Sequence, residues 1–457
     1  MSRLAKLLVV WVIGLGVAYA TLSILRHNHF QSGGFDLGIY DQAVWQYAKF
    51  LKPYNTIKAS HIWGDHLTLT LPLLAPLFWL WDDVRILLIF QAFWLAFSSL
   101  AVFKLAQHRK LAATTALALT ISYSFFYGLQ QAVYFDFHPV ILGVGLLVWL
   151  AYFLESNQKK LFGPTLILLL LTQENMGIAL ACLGLIYFWQ KKYRLIAVKF
   201  IAGGLLWSLL ASRLINRFAS SGFQYWPQIT FSPIKILTDF FNAEEKRLVW
   251  LYSLSWFGLL PLFSPGAMWA VFLDLGQYFV TGPGFSRMWS PFTHHRAILG
   301  VFLVLGAMEG LKLLKKQKIV TIGLIMVALG CQYFFHFPLN KLAKQAYWQQ
   351  EPWMVDNQAL LKMVPPDASV ASQQNLVPHL SHRREIYLAW PRQIGNDWWL
   401  AFGGQPEYLV VDRRPGQWLT QILETNENFQ AAIENMEKSG KITLKTNRGD
   451  ACLYRIN

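Results

Sequence analysis

Two stretches, Phe35-Asp36-Leu37-Gly38-Ile39-Tyr40-Asp41-Gln42 and His61-Ile62-Trp63-Gly64-Asp65-His66, put three carboxylates and two imidazoles into one loop of an otherwise apolar chain. Asp136-Phe137-His138-Pro139 repeats the Asp/His association further on, and Glu174 sits in the polar turn Gln173-Glu174-Asn175. Side chains of these types do three kinds of chemistry. A carboxylate desolvated among Trp and Phe gains a raised pKa and serves as a general base toward a hydroxyl. Asp and His together hold a divalent cation, a hard one if oxygens dominate and zinc if the imidazoles engage. Asp and His chains also relay protons in transporters. Helix capping accounts for one of Asp36 and Asp41, which lie five apart and so off a common helix face. It does not account for Gly64-Asp65-His66 and Asp136-Phe137-His138 recurring at comparable membrane depth.

On the cationic side, Arg287, His294, His295 and Arg296 fall in one loop. An Arg there can hold a phosphate through two parallel hydrogen bonds. The bland alternative is that each is an interfacial anchor reaching to lipid headgroups.

The elements that position these groups follow from composition. The chain is 54% hydrophobic and 14% charged, with 20 Trp, 33 Phe and 18 Tyr, which excludes an ordinary soluble domain. Its net charge of +15 lies in short clusters between apolar runs, with no basic stripe or stacking module, so nucleic acid is not an expected partner. Cys182, Cys331 and Cys452 show no paired spacing for a disulfide framework or a zinc site.

Arg3 and Lys6 followed by the apolar run Leu7 to Leu25 read as an uncleaved membrane anchor. Further spans are expected over 84–103, 111–130, 140–154, 161–172, 176–189, 195–211, 248–263, 266–280, 297–314 and 319–337, about eleven in all. Leu67 to Trp81, interrupted by Pro72 and Pro76, is expected to lie at the outer surface or dip in. The positive-inside rule orients the set: Lys104, Arg109, Lys110, Lys159, Lys160, Lys191, Lys192, Arg194, Lys312, Lys315, Lys316 and Lys318 fall in the proposed inner loops. Asp36, Asp41, Asp65, Asp136 and Glu174 then face outward. The expected location is the cytoplasmic (inner) membrane, with a cytoplasmic N-terminus.

Residues 1–337 thus form a transmembrane domain, and 338–457 a small α/β domain outside the membrane. Within the latter, strands are expected at Ser369 to Ala371 and Glu407 to Asp412, a helix over Gln417 to Lys438, and a closing hairpin from Ile442 to Thr446 and Ala451 to Ile456.

Phe35-Asp36-Leu37-Gly38 with Asp41-Gln42, then Gly64-Asp65-His66, Asp136-Phe137-His138-Pro139 and Glu174 together resemble an uncharacterised bacterial membrane-protein family placed in the GT-C glycosyltransferase superfamily. The likeness covers the first half of the chain, and Asp367 to Tyr387 resembles that family's tail. The resemblance implies a GT-C-like α-helical membrane fold whose first outer loop carries a catalytic Asp. Such enzymes take a hexose or pentose from a polyprenyl-phosphate donor at the outer face and pass it, with inversion, to a lipid, glycan or protein acceptor. By position Asp36 matches the catalytic acid. Asp41, Asp65 and His66 would orient it or the acceptor, with Asp136, His138 and Glu174 lining the same cavity. A separated Asp36 and Asp41 stands where some relatives have an adjacent acidic pair. The competing expectation is a multi-span transporter or flippase, against which the acids gather at one face and the hydropathy shows no internal repeat.

Overall fold

The structure is a computed structural model that describes residues 3–219, 222–225, 232–314, 317–417 and 425–457. Expectations resting on Lys315 and Lys316 and on residues 418–424 of the Gln417 to Lys438 helix lie outside the described residues.

The first helix, α1, runs Arg3–Asn28, and among the described residues three helical stretches are long and apolar enough to cross a membrane: Lys6–Asn28, Arg85–His108 and Lys191–Ile215. Val140–Glu155, Met176–Phe188 and Ile319–Phe335 are apolar but shorter. Val140–Glu155 and Ala297–Leu311 bury nearly every side chain, as helices apolar all round do when they form the centre of a bundle.

Two expected spans are each split. The stretch 111–130 breaks into Ala113–Phe125 and Tyr127–Tyr134 because Phe126 leaves the helical region at φ −50 and ψ 130. The carbonyl of Phe125 is covered instead by Gln130 Nε2, which donates to it at 2.5 Å. The stretch 248–263 is α-helical only as far as Ser255 and resumes as a short 3-10 turn, Leu260–Phe263, since Gly258 and Leu259 take left-handed φ values of 59 and 61. The charge pattern also differs in one place. Arg109, expected as an inner-loop charge, pairs with Glu155 at 2.5 Å with side chains 4% and 7% exposed, and Tyr187 Oη donates to the same carboxylate.

Beyond residue 340 a five-stranded sheet forms, ordered Ile386–Leu388, Val370–Ser372, Tyr408–Asp412, Ala451–Ile456 and Ile442–Arg448. The first three strands are parallel and the last two antiparallel. The helix Asn426–Lys438 lays Phe429, Ala432, Ile433 and Met436, spaced as one helical face, against Leu409, Val411 and Tyr454 of the sheet. The strand Ile386–Leu388 and the hairpin Trp390–Ile394 with Asp397–Ala401 were not expected from the sequence.

This sheet shares a core with the first loop. Leu37, Ile39, Tyr40 and Val44 pack with Leu376, Val377, Leu380, Ile386 and Val410 in one buried cluster. The acidic loop is therefore seated on the C-terminal region as much as on the helices around it.

Candidate functional site

After α1 the chain turns through Gly33 into a tight helical turn, Gly34–Gly38, which feeds directly into helix α2, Ile39–Ala48. The turn needs its glycines. The N–H of Gly34 donates to the carbonyl of Gln374 at 2.8 Å, and a Cβ there would lie 3.0 Å from Val377. A Cβ on Gly38 would lie 2.9 Å from the same side chain. Backbone approach this close holds Asp36, inside the turn, at a fixed position over the helices.

Asp36 points at His138, whose Nε2 lies 3.1 Å from its Oδ1. Burial holds His138 well below the usual imidazole range, assisted by the positive potential of His295 and His66. His138 is thus held as a neutral ring at contact distance from the carboxylate. The His138 ring meets His294 edge to face at 3.6 Å between centroids, and His294 stands 4.0 Å from His295. The Nδ1 atoms of all three, with Nη1 of the fully buried Arg296, have no protein hydrogen-bond partner among the described residues. Burial, with Arg296 next to it, pushes His295 down to about 3.

The Asp36 carboxyl is pushed up to about 7, first by burial and then by the neighbouring Asp136 charge, against the opposing pull of Arg26 and Arg287. Its side chain keeps 30% exposure, so it remains reachable. Arg287 itself is exposed, on the short helical turn Pro283–Trp289.

Asp136 has another task. Its Oδ1 takes a hydrogen bond from Arg26 at 2.5 Å and its Oδ2 one from the N–H of Gly33 at 2.8 Å, in a pair only 8% and 1% exposed. Both oxygens are engaged, so Asp136 clamps the end of α1 to the first loop and tunes Asp36 through its charge. Arg26 was not singled out in the sequence, where it reads as the end of an apolar run.

A second group adjoins the first. Glu174 accepts from His66 Nδ1 at 2.6 Å and from the N–H of Leu67 at 3.1 Å. Burial works against charge on His66, but Glu174 and Asp65 outweigh it and raise its pKa. Asp65 holds Lys58 at 3.0 Å and the hydroxyl of Tyr225 at 3.1 Å, and Tyr225 stacks on His66 at 4.7 Å. Burial would raise Asp65, yet His66 and Lys58 bring it below the ordinary carboxylate range. Asp65 and His66 are thus ion-paired to Lys58 and Glu174, near enough for Asp65 to raise Asp36 through its charge, and make no direct bond to Asp36. Lys58 and Tyr225 belong to this group although no motif marks them.

Asp41 is placed elsewhere. Its carboxylate accepts from Ser381 Oγ at 2.5 Å and lies 3.1 Å from His382 Nε2, while His382 Nδ1 meets Asp82 at 2.7 Å. The residue expected to act beside Asp36 instead ties α2 to the C-terminal region, because its position in α2 turns it toward Ser381 and His382. Burial opposes the His382 charge, but Asp41 and Asp82 together raise it to about 9. This bridge contributes stability that is fully present below about 6.5, the pKa of an unperturbed His, and lost as pH rises through about 9. His382→Gln is therefore expected to lower the unfolding temperature at pH 6, with the gap to wild type closing by pH 10. An unchanged gap would remove the bridge as its cause.

Among the described residues no three His, Cys, Asp or Glu side chains converge as a metal-ligand set.

Long apolar helices around a buried cluster of acids and imidazoles define a mostly helical membrane protein. The chain belongs to the family described as predicted membrane protein (DUF2079), whose model matches residues 26–441. No curated protein matches it.

Proposed function

We propose that the protein is a GT-C-type glycosyltransferase of the inner membrane, with about eleven spans and its C-terminal α/β domain outside. It moves a sugar from a polyprenyl phosphate to a lipid, glycan or protein acceptor at the outer face. The observation that carries this reading is the Asp36 carboxylate. It is raised to about 7 and oriented by His138 beside a row of buried nitrogens with no protein partner. A base is most effective when its pKa lies near the working pH.

In the proposed step the acceptor hydroxyl gives its proton to Asp36 while its oxygen attacks the anomeric carbon. The bond from that carbon to the phosphate oxygen breaks, the configuration inverts, and polyprenyl phosphate leaves. The unpartnered nitrogens of His294, His295 and Arg296, with the charge of Arg287, suit the oxygens of that leaving group. The Glu174–His66 and Asp65–Lys58 pairs shape the opposite wall.

The test is to incubate purified protein with a panel of polyprenyl-phosphate sugars and membrane extract, and to follow free polyprenyl phosphate by mass spectrometry. Release from one donor class is expected. Absence of release from every donor would overturn the reading and favour a transporter or flippase. A second expectation concerns the leaving group: Arg287→Ala raises KM for the donor about 10-fold, as loss of one charged hydrogen bond does. An unchanged KM would remove Arg287 from the donor site.

A further inference from the structure

A second cleft, of about 660 Å³, opens where α2 meets the C-terminal region. Trp45, Lys49, Asp82, His382, Arg383 and Arg384 line it, and Asp36, His138 and His294 do not. Trp45 and Lys49, the latter capping the end of α2, lie four residues apart and so share one face. That face forms one wall, and the chain from 366 to 384 forms the other. The volume lies within the range of ordinary small-ligand sites, roughly 300–1,000 Å³.

The charges in this cleft do not all cancel. Lys49 pairs with Asp82 at 2.9 Å, and His382 stands between Asp82 and Asp41, so these four form a balanced set. Two guanidiniums remain, against the single carboxylate of Asp367 on the rim. Arg383 spends its hydrogen bonds on the carbonyls of Leu380, Ala368 and Pro365 and forms no ion pair with a carboxylate among the described residues. Arg384 is exposed, and its guanidinium has no hydrogen bond or ion pair among the described residues. Trp45 supplies a flat wall: its indole lies at 29° to the His382 ring with centroids 6.2 Å apart, and Lys49 Nζ is 5.9 Å from the indole centroid.

An uncommitted planar fork and an aromatic face in one concave site suit a ligand with an acid at one end and an apolar ring face beside it. We propose that this cleft binds an acidic saccharide, its carboxylate on Arg384 and one sugar ring against Trp45. Arg matches a carboxylate with two parallel bonds, and the C–H face of a pyranose suits an indole. The site goes beyond the transfer reading and does not depend on it, because binding is measured without turnover.

The experiment is calorimetric titration of the full-length protein in detergent with a trisaccharide ending in glucuronate, the matching trisaccharide ending in glucose, and inorganic phosphate. Saturable binding of the glucuronate probe is expected, weakened by about 10-fold to 100-fold in Arg384→Ala. Arg384→Lys should recover only part of it, Trp45→Leu should also weaken it, and Asp36→Asn should leave it unchanged. Because the Arg384 side chain is exposed and makes no hydrogen bond or ion pair among the described residues, its variants are expected to keep the wild-type unfolding temperature, which separates lost binding from lost folding. Failure of wild type to bind, equal binding of the neutral trisaccharide, displacement by phosphate alone at equal concentration, or indifference to Arg384 would each overturn the proposal.

Discussion

Asp36→Asn is expected to lower the rate of the proposed sugar transfer by about 100-fold to 10,000-fold, the usual worth of a positioned general base. The amide keeps the size of the carboxyl and can still meet His138, so the variant folds. It should also unfold no earlier than wild type at pH 8. A carboxyl raised to about 7 contributes stability while protonated, fully below about 3.8, and loses it as pH rises through 7. Loss of activity without loss of stability separates a base from a structural acid. In wild type the rate should climb as pH passes through about 7, because only the ionised carboxylate can take the acceptor proton. A variant that retains more than a tenth of wild-type activity, or a wild-type profile flat across that range, would place the base elsewhere.

Asp136→Asn destabilises the protein by about 3–5 kcal/mol, since it leaves Arg26 buried without its counter-charge. Chemical denaturation measures this directly. The same substitution has a second, separable signature. The Asp136 charge helps hold Asp36 high, so removing it shifts the midpoint of the pH–rate profile below 7, whereas Arg26→Ala shifts it above. Opposite shifts from two substitutions that both destabilise cannot come from destabilisation alone. Equal midpoints in the two variants would remove Asp136 and Arg26 as the source of the Asp36 perturbation.

The acids and imidazoles were legible because an apolar chain makes ionisable groups conspicuous. Asp36 lies against His138, and Glu174 pairs with His66, pairings that the separate motifs did not specify. Asp41 joins neither pair, because five residues of separation carry it past the turn onto the face of α2 that meets the C-terminal region. Arg26 escaped notice inside an apolar run, and Ser381 and His382 because they lie more than three hundred residues from their partner Asp41. Hydropathy located the helices well but overran two breaks. Phe126 leaves the helix within a run with no proline or glycine signal before it, and Leu259 takes a left-handed φ that its residue type gives no reason to expect. In the C-terminal region the strand Tyr408–Asp412 was legible as a short buried run, and the closing hairpin from the turn residues between its strands. Ile386–Leu388 is three residues long, below the length at which periodicity speaks.

The measurement that bears most directly on the central claim is release of polyprenyl phosphate from a polyprenyl-phosphate sugar by the protein in liposomes at pH 8, wild type beside Asp36→Asn. The account predicts steady release by wild type and at most about a hundredth of that rate from the variant. Equal release by both would contradict the role of Asp36, and no release by either would contradict the transferase itself.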